Sequence, residues 1–232
     1  MNTSLWKEHC ILSPSLICLD LTNLEKQANQ LTAGGIRMLH VDILDGHFSP
    51  SMPLGLDTVR QLREKTDLAF DCHVMTTAND YFVSELLDIG VQQIVFHGET
   101  EPHVDGMLKR IRAAGVRAGV ALKPATSLSS LDYVLELCDT VLLMLINPGY
   151  AFMKGEKQIP YAKRKIEELR DRIEKQGLPT LIELDGRISP DNIRNWSEIA
   201  DIFVTGSTCL RRDDLLKSLA ELNALRNSIL FS

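Results

Sequence analysis

The stretch "MLHVDILDGHFSPSMPLGLDTVRQLREKT", residues 38–66, contains the unit from which the fold of this chain can be predicted. It begins with a short aliphatic run, "MLHVDI", turns at Asp45-Gly46 and continues into "LGLDTVRQLREKT", whose apolar residues recur at helical spacing. We therefore predict a β-strand followed by an α-helix. His40 and Asp42 interrupt the aliphatic run, and because they are two positions apart they share one face of the strand.

The same alternation continues along the whole chain. The runs that we interpret as strands are ILSPSLI, MLHVDI, LAFDCHVM, QQIVFHG, VRAGVALK, TVLLMLI, PTLIEL and DIFVTG, and a helix-period segment follows each of them. About eight strand-helix units in 232 residues predict a closed (β/α)8 TIM barrel, with residues 1–232 as a single domain. The first ten or so residues are expected to form a short extra arm or helix. An open doubly wound sheet ranks second, because no glycine-rich dinucleotide loop follows the first strand.

Glycines at the ends of the helical segments support the predicted helices. Gly35, Gly90, Gly115 and Gly177 each follow a helical segment, where a left-handed residue commonly ends the helix. The segment "SLSSLDYVLELC", residues 127–138, is predicted to be the helix of the fifth unit.

Charge and cysteine content narrow the classes of function. A formal net charge of −6 argues against a broad basic surface for nucleic acid or anionic lipid. The five cysteines are odd in number and have no CxxC spacing, so we expect packed, reduced thiols. No apolar run approaches the roughly 18 residues that would span a membrane. Charged residues in "MNTSLWKEHC" stand where a signal peptide needs its apolar core, so we expect a cytoplasmic location.

Polar groups stand at the carboxyl ends of the predicted strands, which share one rim in a parallel barrel. His40 and Asp42 lie on strand two, His73 on strand three and Asp185 on strand seven. Two imidazoles and two carboxylates suit a divalent metal ion. For any one of these residues, a hydrogen-bonded core residue is the better interpretation. Their coincidence at matching strand ends favours a metal site.

A family resemblance rests on seven motifs in order along the chain: PSL (14–16), HVDILDGHFSP (40–50), DCHVM (71–75), VALKPAT (120–126), LLMLINPGY (142–150), ELDGRI (183–188) and TGS (205–207). Their order and placement resemble those of ribulose-phosphate 3-epimerases over nearly the whole chain after the N-terminal arm. The resemblance implies a TIM barrel of the ribulose-phosphate-binding type and a homo-oligomer. It also implies a metal-dependent 3-epimerase of a phosphorylated ketose, of the ribulose 5-phosphate/xylulose 5-phosphate type. Two aspartates would transfer protons at C3 through a metal-stabilised ene-diolate, with no organic cofactor.

The resemblance further implies roles for individual residues. The metal is expected to be zinc first, with iron, manganese or cobalt as alternatives. Its implied ligands are His40, Asp42, His73 and Asp185, and Asp42 and Asp185 are also the implied acid-base pair. The residues implied to surround the substrate are Ser15, His73, Met75, Met144, Gly149, Gly186, Gly206 and Ser207. The phosphate is expected beside the glycines and Ser207, aided by a helix N-terminus near Ser207 and Thr208.

Several positions depart from the family pattern. Leu44 replaces a methionine, Ser51 replaces an asparagine, and Arg187 replaces the second glycine of "DGG". The loop after strand six, "NPGYAFMKGEKQIP", lacks the family's adjacent glycines. Arg187 could bind the substrate's phosphate or lie across the surface, and we favour binding.

These departures keep other functions open. The substrate could be another ketose phosphate, such as allulose 6-phosphate, or the chain could be a non-catalytic sugar-phosphate-binding relative. Decarboxylases and aldolases on similar barrels would require a D-x-K-x-x-D pattern, but Leu44 stands at the lysine position. His97 and Glu99 are interpreted either as outer supports of the metal site or as rim residues.

Overall fold

A computed structural model describes residues 4–149, 153, 155–211 and 213–231 and contains a barrel of parallel strands. The strands are β1 (Ile11–Pro14), β2 (Met38–Leu44), β3 (Ala69–Met75), β4 (Gln93–His97), β5 (Arg117–Leu122), β6 (Thr140–Met144), β7 (Leu181–Asp185) and β8 (Ile202–Thr205). Their order is β1-β8-β7-β6-β5-β4-β3-β2. A parallel bridge between Ser15 and His40 joins the two ends of this order, so the predicted (β/α)8 barrel is confirmed.

The α-helices pack outside the strands. They are α1 (Leu24–Ala33), α2 (Leu56–Arg63), α3 (Asn79–Ile89), α4 (Val104–Ala113), α5 (Ala162–Lys175), α6 (Pro190–Trp196) and α7 (Leu215–Leu230). Gly90 ends α3 in the left-handed conformation at φ +79°, as its position in the sequence predicts.

The prediction of an α-helix over residues 127–138 was wrong. Two 3-10 helices, Leu128–Leu131 and Leu135–Leu137, occupy this segment. Their N–H groups bond to carbonyl oxygens three residues back, as from Leu137 N to Val134 O at 2.9 Å. The Ser127 hydroxyl accepts a hydrogen bond from the Ser129 N–H and starts this tight turn. The buried leucines recur at spacings that both helix types share, so the apolar pattern does not distinguish them.

The N-terminal residues cover the lower end of the barrel, as expected of an extra arm or helix. Leu5–Lys7 forms a 3-10 helix, and Leu5 packs with Ile11, Met38 and Ile202 inside the barrel. The Trp6 ring lies 4.5 Å from the guanidinium carbon of Arg117. This apolar layer separates the barrel interior from solvent at the end opposite the strands' carboxyl termini.

Strand alternation places the polar residues above that layer. Leu39, Val41 and Ile43 point outward from β2 and belong to the core between the sheet and the helices. His40 and Asp42 consequently point into the barrel. The inner face of the sheet is thus apolar at the lower end, and the polar side chains of β2 lie above that layer.

The cysteines agree with the expectation of packed thiols. All five cysteines are thiols, and all except the partly exposed Cys18 are buried. Within the described ranges, no helix combines the length and apolar character needed to cross a membrane.

Candidate active site

Four side chains from β2, β3 and β7 converge at the upper end of the barrel. Strand pairing places Asp42 beside His73 in parallel register. Asp185 ends β7, and its Oδ2 lies 3.7 Å from His73 Nδ1. One nitrogen or oxygen atom from each of His40, Asp42, His73 and Asp185 lies within 4.8 Å of the others. The structure therefore brings together the four residues that we interpreted as metal ligands.

The donor atoms of this cluster fit a divalent metal ion. His40 Nε2 and His73 Nδ1 lie 3.4 and 3.5 Å from Asp42 Oδ1. Both nitrogens are buried, and neither has a hydrogen-bond partner within the described part of the chain. A buried polar atom without a partner is destabilising by about 1–3 kcal/mol, so two such atoms facing two carboxylates indicate a ligand between them. Two imidazole nitrogens with carboxylate oxygens are a common donor set for zinc and similar ions.

A second layer of polar residues orients His40 from below. His40 Nδ1 lies 2.8 Å from Asp71 Oδ2, and the Gln93 side-chain amide donates to Asp71 Oδ1 at 2.8 Å. The same amide nitrogen donates to Glu183 Oε2 at 3.2 Å. The contact with Asp71 turns Nε2 of His40 toward the metal cluster. This role was not predicted for Asp71 or Glu183, although each lies two residues before a proposed ligand on the same strand face.

The two aspartates differ in their affinity for a proton. Burial would raise the pKa of Asp42, but the imidazoles of His40 and His73 hold it well below its usual range. Burial raises the pKa of Asp185, although the nearby His40 opposes this shift. The pKa values of the two carboxyl groups are thus shifted in opposite directions by their surroundings.

A cleft opens above the cluster. The residues that line it include Ser15, Asp42, Leu44, Ser51, Met75, Met144, Gly149, Asp185, Gly186, Arg187, Gly206 and Ser207. The Ser15 hydroxyl donates to Asp42 Oδ2 at 3.0 Å. His40 and His73 are fully buried below its floor. His73 therefore lies with the proposed metal ligands, and it is not among the described residues that line the cleft, although we also expected it to contact the substrate.

Close backbone packing at one end of the cleft requires glycine. A Cβ atom on Gly149 would lie 1.8 Å from Ser49 Oγ, and one on Gly186 would lie 2.9 Å from Ile146 N. Both glycines have positive φ, +77° and +117°. At these two positions the backbone itself lines the cleft.

The expected helix N-terminus near Ser207 and Thr208 is absent from this described segment. Instead, Gly206 O accepts hydrogen bonds from Cys209 N at 2.9 Å and Leu210 N at 2.8 Å, which makes a single turn. The helix α7 begins only at Leu215. Any anion bound here would contact the N–H groups of a turn, without the macrodipole of a long helix.

Arg187 has an unusual backbone conformation for its residue type. Its φ is +52°, in the left-handed region that favours glycine. Gln158 Nε2 donates to Gly186 O at 2.9 Å and to Arg187 O at 3.2 Å and so holds this conformation. Arg187 Nη2 donates to Met153 O at 3.0 Å, and the side chain lines the cleft. The altered loop after β6 also includes residues 150–152 and 154, which lie outside the described residues.

The apolar wall of the cleft includes Leu44, Met75 and Met144, all of which are buried. Leu44 occupies the position at which the sugar-phosphate decarboxylase pattern requires lysine. The cleft therefore has an apolar side chain, and no amine, at that position.

Known proteins resemble this chain in sequence and in fold. Solved structures share the fold, and two of them serve as examples. The 3-keto-L-gulonate-6-phosphate decarboxylase of Vibrio cholerae has a TM-score of 0.72 at 13% identity, covering 96% of this chain and 99% of that one. The tryptophan synthase alpha chain of Legionella pneumophila has a TM-score of 0.64 at 17% identity, covering 96% of this chain and 92% of that one. The TM-scores indicate a common barrel fold, and identities this low carry no information about function.

The sequence matches are more specific. The model of the ribulose-phosphate 3 epimerase family matches residues 11–210. The ribulose-phosphate 3-epimerase of Mycobacterium tuberculosis is 34% identical over 213 residues, covering 91% of both chains. That of Escherichia coli is 33% identical over 216 residues, covering 92% of this chain and 95% of its own. The chain therefore belongs to the ribulose-phosphate 3-epimerase family and is an enzyme of the isomerase class.

Proposed function

We propose that this protein is a metal-dependent 3-epimerase of a phosphorylated ketose and interconverts ribulose 5-phosphate and xylulose 5-phosphate. The observation that carries the proposal is the convergence of Asp42 and Asp185 with two buried imidazole nitrogens that have no hydrogen-bond partner among the described residues. Epimerisation next to a carbonyl requires a base on one face of the carbon and an acid on the other. The two aspartates meet this requirement because β1 and β8 separate their strands around the barrel.

The proposed reaction uses the two carboxyl groups in turn. One carboxylate removes the C3 proton, and the bonding electrons form the ene-diolate. The other carboxyl group, on the opposite face, returns a proton to C3 and inverts its configuration. The Ser15 hydroxyl positions Asp42, and the apolar wall formed by Leu44, Met75 and Met144 keeps water from quenching the intermediate.

The proposed metal ligands are His40, Asp42, His73 and Asp185. When bound there, a divalent ion, zinc first and otherwise iron, manganese or cobalt, would supply positive charge that stabilises the negative charge on the substrate oxygens. The same charge favours the ionised form of the neighbouring aspartates.

The proposed phosphate site lies at the end of the cleft lined by Gly149, Gly186, Arg187, Gly206 and Ser207. A guanidinium can bind phosphate in a bidentate manner, and here it replaces a glycine of the family pattern. This replacement supports a second candidate substrate, another ketose phosphate such as allulose 6-phosphate. A non-catalytic sugar-phosphate-binding relative would not need both aspartates beside a complete donor set, so we rank it last.

The proposal can be tested with a panel of phosphorylated ketoses in deuterated water, by following exchange of the C3 proton with NMR. We expect exchange and epimerisation of ribulose 5-phosphate, and loss of both after chelation, with recovery on adding zinc. We expect Asp42→Asn and Asp185→Asn each to lower the rate by at least about a hundredfold. Full exchange in both variants would rule out the two-aspartate mechanism, and full activity in the chelated protein would rule out the metal.

The cytoplasmic location, the single-domain organisation and the homo-oligomeric state stay predictions. Sedimentation analysis of the purified protein would measure the oligomeric state. Limited proteolysis would test for a second domain, which should appear as a separately stable fragment.

A further inference from the structure

A line of three side chains leads from the proposed metal site toward the protein surface. His73 Nε2 lies 3.0 Å from His97 Nε2. His97 Nδ1 lies 2.9 Å from Glu99 Oε2. Both histidines are fully buried, whereas the Glu99 side chain is 20% exposed. These contacts begin on the side of the His73 ring opposite Nδ1, the atom that faces Asp42 and Asp185.

The outer end of this line is a pure acceptor. Glu99 Oε1 accepts hydrogen bonds from the Lys123 backbone N–H at 2.7 Å and from the Thr126 hydroxyl. Burial would raise the pKa of Glu99, but hydrogen bonds from His97, Thr126 and Lys123 lower it to about 2. The group is therefore a carboxylate, and its Oε2 can only accept a hydrogen bond.

The hydrogen positions along the line follow from that acceptor. Because Glu99 accepts, His97 Nδ1 carries the hydrogen, and its Nε2 is left with a lone pair. Two imidazole nitrogens 3.0 Å apart need one hydrogen between them, so His73 Nε2 must donate it. As a neutral imidazole, His73 then has its lone pair on Nδ1, facing the proposed metal site.

Packing keeps the His97 ring in this line. The Phe48 ring lies against the His97 ring, with the two centroids 4.6 Å apart. Lys123 Nζ in turn lies 4.2 Å from the centroid of the Phe48 ring. Lys123 thus contacts this assembly twice, through its backbone N–H to Glu99 and through its side chain to Phe48. The backbone N–H cannot change its role as a donor, so the direction of the hydrogen bonds is set at the outer end.

We propose that Glu99 and His97 are positioning residues that fix the tautomer of His73, so that Nδ1 offers its lone pair to the metal ion. The inference rests on the proposed metal site and assigns two residues that do not touch the ion. His40 receives the corresponding orientation directly from Asp71, whereas His73 receives it through a second histidine.

The isosteric substitution Glu99→Gln tests the direction of the hydrogen bonds from His73 through His97 to Glu99. The Lys123 N–H requires the amide oxygen of the new side chain, so the NH₂ group must face His97 Nδ1. His97 then has its hydrogen on Nε2, and His73 must accept there and carry its hydrogen on Nδ1, where it blocks the metal. We expect the zinc dissociation constant to rise about 10–100-fold. The matched control is Glu101→Gln, which removes one carboxylate two residues away and should leave zinc affinity within about twofold.

Two readouts that use no substrate decide the outcome. Long-range ¹H–¹⁵N correlation spectra of the metal-free protein should show His73 protonated on Nε2 in the wild type and on Nδ1 in Glu99→Gln. Zinc affinity is measured by competition with a chromophoric chelator. A second variant, His97→Gln, places an amide oxygen near the acceptor position and should retain most of the affinity, whereas His97→Phe should lose it.

Protonation of wild-type His73 on Nδ1 would overturn the inference, as would zinc affinity in Glu99→Gln and His97→Phe within about twofold of the wild type. Failure of the proposed function gives a different result, namely normal zinc binding and the expected tautomers without turnover of any ketose phosphate. Absence of zinc binding by the wild type would reject the metal site and this inference together.

Discussion

Replacement of Arg187 by glycine should separate stability from substrate binding. A left-handed conformation is destabilising by about 1–2 kcal/mol for a residue with a Cβ atom. Glycine would remove that strain at φ +52°. It would also make the unfolded chain more flexible, which lowers the free energy of unfolding by about 0.4–1 kcal/mol. The variant also loses the hydrogen bond to Met153 O. These contributions nearly cancel, so the free energy of unfolding should change by less than about 1 kcal/mol.

Replacement of Arg187 should affect binding of the phosphorylated ketose much more strongly than stability. A hydrogen bond to a charged group contributes about 1.5–3 kcal/mol, which corresponds to a KM for the phosphorylated ketose about 10–150-fold higher in Arg187→Gly. In the proposed function the guanidinium binds the phosphate and does not contact the reacting carbon, so kcat should change less than KM. Arg187→Asn is the matched control, because asparagine tolerates the left-handed conformation and has no charge. Its KM should equal that of Arg187→Gly.

Urea unfolding and steady-state kinetics on the same preparations measure the two effects. An unchanged KM in Arg187→Gly and Arg187→Asn would refute the assignment of Arg187 to the phosphate. A loss of stability above about 2 kcal/mol in Arg187→Gly would instead show that the arginine is held for its packing.

Three further predictions concern the stability of a glycine variant, the loss of stability at acid pH and the stabilisation by zinc. Gly149→Ala should lower the free energy of unfolding by more than about 2 kcal/mol, because the new Cβ would lie 1.8 Å from Ser49 Oγ. Gly155→Ala has a similar φ, and among the described residues no atom lies within 4 Å of the new Cβ, so it should lower this free energy by only about 1 kcal/mol. Equal losses in urea unfolding would contradict the clash at Gly149. Burial opposes the shift, but backbone N–H groups lower the pKa of Asp45 from 3.8 to about 2, so its stabilisation is present above 3.8 and is lost as the pH falls through 2. Thermal unfolding of Asp45→Asn should therefore depend less on pH across this window, and an unchanged slope would refute the role of the carboxylate. Zinc at a hundred times its dissociation constant should raise the free energy of unfolding by about 2.7 kcal/mol in the wild type and much less in His40→Ala; an equal rise in both would place the ion elsewhere.

The barrel and the polarity of its inner face could be predicted from local patterns. Repetition of an aliphatic run and a helix-period segment is set by the short-range spacing of side chains, and strand alternation puts His40 and Asp42 on one face without any knowledge of neighbours. The order of the motifs was enough to indicate the family. Local pattern failed at residues 127–138, where 3-10 and α-helical spacings of leucine are alike, and at Ser207, where a turn ends before a helix can form.

Only the tertiary structure decided how the inward-facing groups are paired. His97 was open to two interpretations in the sequence, because its role depends on a contact with a residue 24 positions away. The left-handed backbone of Arg187 depends on an amide 29 positions away. The two histidine nitrogens that have no hydrogen-bond partner among the described residues become apparent only when the strands form the barrel. Side-chain period therefore determined which face each residue occupies, whereas strand register and loop contacts, which join distant parts of the chain, determined which atoms meet.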